Sequence, residues 1–219
     1  MSVFLGRTKR QAERGDTLIE VLLAVTIFSL IVVGALAIMN QGMSAARRSL
    51  ETTLARQVMD GQAESLRFMH ESYVAGYKKG VTYNLNGPKT PAGEYYRIIE
   101  NAKANAHQVA SDLNGAATCP TTAPAGGFAI DPVTAQVKVG SAMMKTATTY
   151  PQLVYNATGG ITAVEGVWRE AVRTAEVAPG APGSHAGFID FHIRTCWMVP
   201  GSDVPETLGT IVRLYEPRG

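Results

Sequence analysis

From Leu18 to Met39 the chain reads LIEVLLAVTIFSLIVVGALAIM, and Glu20 is the only charge in it. As a helix, that run rises about 33 Å, enough to cross a bilayer core. A carboxylate inside a membrane-length apolar helix is costly, so Glu20 is expected to have a purpose.

The flank before it, MSVFLGRTKRQAERG, carries Arg7, Lys9, Arg10 and Arg14 against Glu13. Basic residues there predict a cytoplasmic N-terminus and an exported C-terminal bulk. Three arrangements produce such a pattern. A secretory signal peptide has a shorter apolar region followed by a small-residue cleavage site. Gly42-Met43-Ser44-Ala45-Ala46 supplies small residues, but the apolar run is too long and contains Glu20. A plain anchor accounts for the length and leaves Glu20 unexplained. The third arrangement is a leader cut between Gly15 and Asp16, which keeps the apolar helix on the mature chain.

Gly15, Thr17, Leu18, Ile19 and Glu20, with the apolar run behind them, resemble the start of type IV pilins and pseudopilins, the class III signal sequences. The resemblance implies cleavage after Gly15 by a membrane-bound prepilin peptidase, and N-methylation of the new first residue. It also implies that Glu20 pairs with the free amine of a neighbouring subunit during filament assembly. Physically, two opposite charges in a low-dielectric bundle each lower the other's burial cost. A charge tolerated only beside its partner then sets the register of the subunits. The alternative for Glu20 is snorkelling to the headgroups, which needs no partner. This chain departs from the pattern at Asp16, where the family usually has Phe or Met; methylation of Asp16 is less firmly implied, and its carboxylate competes with Glu20 for the amine. It also lacks the helix-kinking Pro of many major pilins, leaving Gly34 as the weak point of the helix.

The leader holds four of the 20 basic and one of the 18 acidic residues, so the mature chain is close to neutral, with 16 positive against 17 negative. That argues against a strong, generic nucleic-acid footprint. Cys119 and Cys196 both fall in the exported part, where an even pair implies a disulfide; the alternative is two unrelated buried thiols.

Further along, Asn40 to about Tyr73 lacks Pro. Leu50, Leu54, Val58, Met69 and Tyr73 fall on one face, with Arg47, Arg48, Glu51, Arg56, Asp60, Glu64 and Arg67 on the rest. This predicts an amphipathic continuation of the helix to about residue 76. Tyr77-Lys78-Lys79-Gly80 and Asn86-Gly87-Pro88 mark its end and a loop. Thr90-Pro91 opens a second helix, with Tyr95, Ile98, Ile99, Ala102, Ala106, Val109 and Leu113 at helical steps, and Gly115 to Gly127 is loop. Beyond Gly127 the period becomes two. Phe128–Ile130 and Gln136–Val139 flank a turn at Asp131-Pro132. Phe188 to Val199 alternates, with Ile189, Phe191, Ile193, Trp197 and Val199 facing the helix, which places Cys196 on the outer surface. Ile161 to Val177 suits strand or helix; a hairpin with the Phe188 strand favours strand. A last strand is expected over Thr210–Tyr215. The fold class is α+β: a long N-terminal helix, membrane-spanning in its first half and amphipathic in its second, packed on a C-terminal antiparallel head.

No catalytic motif is present: no His-Glu-x-x-His, no Gly-x-Ser-x-Gly and no phosphate loop. His192 with Cys196, or Asp190 with Asp203, are too few ligands for a metal, and Asn156-Ala157-Thr158 is a chance-frequency sequon. No cofactor is implied. Arg169, Arg173, Arg194 and Arg213 would contact nucleic acid or glycan if they shared a solvent face; charges guarding an edge strand are the plainer reading. The sequence is read as that of a structural, non-enzymatic pilin-like subunit: leader 1–15, assembly helix 16–40, amphipathic helix 41–76, exported head 77–219. Its partners are prepilin peptidase, other pilin subunits, the assembly platform and the membrane. It sits in the cell membrane first and in a surface filament afterwards. The balance tilts to a minor pilin, against a secretion or competence pseudopilin or an unprocessed anchored ectodomain.

Overall fold

The computed structural model describes residues 16–104, 118–140 and 143–218. Outside them lie the Gly15 cleavage position, the Ala106, Val109 and Leu113 part of the expected second helix, and the start of the loop after it. Helix α1 spans Asp16–Lys78 and α2 spans Pro91–Ala104. Eight strands follow: β1 Phe128–Ile130, β2 Val137–Val139, β3 Met144–Lys145, β4 Gln152–Tyr155, β5 Ile161–Glu165, β6 Val167–Thr174, β7 Phe188–Met198 and β8 Pro205–Tyr215. The protein divides after Arg47 into two units.

In the first unit the helix is apolar and uncovered, and none of its most hydrophobic window is buried. Its hydroxyls turn inward on their own backbone: Thr26 Oγ1 donates to Leu23 O at 2.8 Å and Ser29 Oγ to Val25 O at 2.7 Å. Such back-bonding lets a polar side chain sit in an apolar surround without an unmet donor.

The second unit is built on a five-stranded sheet in the order β2-β1-β6-β7-β8, all neighbours antiparallel. α1 and α2 cover one face. There Met59, Ala63, Leu66 and Met69 of α1 meet Tyr95, Ile98 and Ile99 of α2 over Phe128, Ile130, Ile189, Phe191 and Ile193. α1 stops in a Schellman cap: Gly80 adopts φ 73° and Val81 N donates back to Gly76 O at 3.0 Å. Thr90 caps α2, its Oγ1 accepting from Gly93 N at 3.2 Å.

The inward face of α1 differs from the expected one. Leu50 is 59% exposed, while Glu51, Ala55, Gln62 and Ser65 are buried with Met59 and Leu66. Apolar spacing misjudged the face because the buried polar groups are satisfied. Gln62 Nε2 donates to Ile130 O at 2.9 Å and its Oε1 accepts from Ile130 N at 3.2 Å, and Trp197 Nε1 donates to Glu51 Oε2 at 3.4 Å. Ala55 and Ala63 let the helix approach closely.

The stretch from Ile161 to Val177 is extended, as expected, but it is two strands. It breaks at Gly166, with φ 61°, where a Cβ would meet Cys196 O at 2.4 Å and the Ala147 Cβ at 2.7 Å. β5 therefore leaves for a second sheet, β3-β5-β4, in which β3 pairs with β5 in parallel. β6 forms the expected hairpin with β7. β8 begins five residues before the expected Thr210 and pairs along the whole of β7.

Candidate functional site

Two regions carry chemistry worth building up: the start of α1, and the polar groups buried in the head.

Glu20 lies on the exposed apolar helix, and from Thr17 to Ala46 no Lys or Arg occurs. The next cations along the chain, Arg47 and Arg48, are about 40 Å further along an α-helix. No Lys or Arg of its own helix can therefore neutralise Glu20.

In the head, Cys119 and Cys196 are bonded, with their Cα atoms 5.6 Å apart. The outer-surface placement expected for Cys196 is incorrect. It is fully buried, in a second core with Trp168, Val164, Val167 and Ile161. Alternation along β7 does turn Cys196 away from α1, but that opposite face is itself covered. The bond also removes Cys196 as a thiolate ligand beside His192. Asp190 is likewise occupied: Arg213 grips it through two bonds of 2.7 and 2.8 Å, and this pairing holds its carboxyl below the usual range.

The four arginines do not share a face. Arg194 and Arg213 stand on one side of the sheet, with Arg194 3.8 Å from Glu170. Arg173 pairs with Glu216 at 2.6 and 2.8 Å. Arg169 is completely buried on the α1 side, opposite Ile193 and Phe128 in the ladder. Among the described residues its three guanidinium nitrogens have no hydrogen-bond partner, and the face of the Phe128 ring lies 5.5 Å from Cζ. Burial pulls its pKa down to about 9. The edge-strand reading also fails for three of the four, since β6 and β7 are interior strands and only β8, with Arg213, is an edge.

Three polar groups organise the head, and of these only Asp131 was marked by a sequence pattern. Gln62 completes the backbone bonding of Ile130. Asp131 is buried at the β1–β2 turn; burial pushes its carboxyl up, but N–H groups of Val133, Thr134 and Ile161 outweigh this and leave it lowered. Arg97 ties the loop before α2 through Leu85 O at 3.0 Å and Gly87 O at 2.6 Å, and also pairs with Glu94. Asp first in a turn is a readable signal, whereas no local signal marks Gln62. A cavity of about 370 Å³ lies between α2 and the β1–β2 hairpin, floored by Ile98, Phe128, Val137 and Ala171. Among the described residues no cluster of three metal-ligating side chains forms.

Searches of curated proteins and of solved structures find no significant match to the chain. A family model does match, the prokaryotic N-terminal methylation motif, over residues 10–36. These residues hold Arg10 and Arg14 of the basic flank, Gly15, Glu20 and most of the uncovered apolar helix. The chain thus carries the type IV pilin-type signal motif.

Proposed function

We propose that the chain is a minor pilin, cleaved after Gly15 by prepilin peptidase and built into a surface filament through its N-terminal helix. The observation that carries this is the uncovered apolar stretch from Thr17 to Ala46 with Glu20 as its one charge, out of reach of any Lys or Arg on the same helix. An apolar face this long must be covered by lipid at first and by other helices later. A buried Glu20 then needs a cation beside it, and cleavage after Gly15 creates one at the start of each helix, its own and its neighbours'. The leader is residues 1–15, the assembly segment 16–40, its continuation 41–76 and the head 77–219. The basic leader supports a cytoplasmic N-terminus, and the bond between Cys119 and Cys196 suits export into an oxidising compartment.

The test compares sheared filaments with membranes by mass spectrometry of the N-terminal peptide, for the wild type and Glu20→Ala. The expected result is a peptide starting at Asp16 in sheared material, its mass reporting methylation, with Glu20→Ala processed but missing from the sheared fraction. An intact Met1 leader confined to membranes would make the chain an anchored ectodomain.

A further inference from the structure

Five of the eight tyrosines fall between residues 73 and 96, at the end of α1, in the loop after it and in α2. Their rings form one network of contacts. The Tyr73 centroid is 5.3 Å from Tyr83, 5.5 Å from Tyr95, 6.4 Å from Tyr77 and 6.5 Å from Tyr96, and Tyr83 is 6.2 Å from Tyr96. Tyr95 is buried and Tyr77 exposed, while Tyr73, Tyr83 and Tyr96 are half-buried. Rings at such distances are ordinary aromatic packing, but the seat of Tyr83 is specific. A Cβ at Gly76 of α1 would fall on the Tyr83 hydroxyl. Glycine inside a helix costs about 1 kcal/mol relative to alanine, and here its bare backbone lets the phenol lie against the helix beside Tyr73. Arg97 holds the same loop further on, through Leu85 O and Gly87 O.

Two phenols held side by side in this way react with each other far more readily than two that must meet by diffusion. A one-electron oxidant removes an electron and a proton from each. An ortho carbon of one ring then bonds to an ortho carbon of the other. The hydrogen left on each of these carbons moves to its own oxygen, which restores two phenols. The net loss is two electrons and two protons, and one hydrogen peroxide takes them up to give two waters. We infer that Tyr73 and Tyr83 form an oxidative cross-linking site, at which a peroxide-driven one-electron oxidant joins the two rings as dityrosine. The new bond fastens the loop covalently to α1, where packing and Arg97 otherwise hold it. The same head carries the bond between Cys119 and Cys196, of the kind kept in oxidising compartments. The cross-link requires only the folded head and is independent of whether the chain enters a filament.

The test treats the full-length chain in membranes with hydrogen peroxide and a haem peroxidase, digests it with trypsin and reads the peptides by mass spectrometry. The expected product joins Phe68–Lys78 to Gly80–Lys89, two hydrogens lighter than their sum, with fragment ions placing the bond on Tyr73 and Tyr83. Dityrosine fluorescence should grow in step with it. Tyr83→Phe, which removes only a hydroxyl, should lower the joined peptide by about tenfold or more. Gly76→Ala keeps every tyrosine and displaces Tyr83 from its seat, so it should lower the yield by a similar factor. Tyr150, Tyr155 and Tyr215 have no tyrosine ring beside them among the described residues, and serve as internal controls. Bonds formed as often at these three would overturn the inference. So would a joined peptide undiminished in Gly76→Ala, a bond placed on Tyr77 or Tyr96 in place of Tyr73, or no joined peptide under conditions that couple free tyrosine.

Discussion

Replacing Arg169 by Met should make the head more stable. The guanidinium is fully buried, lacks a hydrogen-bond partner on all three nitrogens among the described residues, and has the Phe128 ring as a weak counterweight. Its descent from the ordinary guanidinium range to about 9 spans roughly three to four decades of proton affinity, worth about 4–5 kcal/mol at 1.4 kcal/mol per decade. Local relaxation recovers part of that, and exchanges of buried ions for apolar side chains of similar volume gain about 1–4 kcal/mol. Below about pH 9 the group is charged in both the folded and unfolded chains, and the folded state carries the whole penalty. As pH rises through 9 the folded protein releases the proton while the unfolded chain keeps it, so wild-type stability rises and the advantage of Met narrows. Urea unfolding of the full-length chain in detergent measures this through Trp168 and Trp197, the only tryptophans, both buried in the head. With a typical urea dependence the midpoint should rise by about 1 M at pH 7. An Arg169→Met protein less stable than wild type, or a difference that stays constant from pH 7 to 11, would refute the unpaired-ion argument.

Two further outcomes follow from the same core. Cys119→Ser with Cys196→Ser should cost about 2–4 kcal/mol, since the bond closes a loop with a sequence separation of 77; equal urea midpoints for the variant and the oxidised wild type would argue against a bond in the mature protein. Asp131→Ala should cost about 1–3 kcal/mol at neutral pH by stripping acceptors from three backbone N–H groups. Because the folded carboxyl is lowered, its contribution is complete above the ordinary carboxylate pKa and fades as pH falls through the folded value; a difference from wild type that persists undiminished at pH 2 would contradict this.

The parts legible in the sequence were those with an unbroken local pattern. The apolar run and its Glu20, the Asp131 turn between β1 and β2, and the alternation of β7 each fix an element without outside help. The parts that were not legible depend on contacts distant in sequence. Arg169 looks like any strand arginine until Phe128 and Ile193 flank it in the sheet. Gln62 is ordinary helix polarity until it meets Ile130, 68 residues away. Met144–Lys145 and Gln152–Tyr155 are too short to show a period, so the second sheet is invisible without its partner β5. At the helix start Gly15 and Glu20 were readable as a motif.

The bond between Cys119 and Cys196 also changes how the head responds to proteases. Every strand from β1 to β6, and most of β7, lies between the two cysteines, as does the exposed glycine-bearing loop with Gly180 and Gly183. A single cut in that loop opens a ring and severs no connection between α1 and β8. The halves also remain zipped by the β6–β7 ladder. A nicked head of this kind stays attached and folded, and the two fragments separate only when the protein is both denatured and reduced.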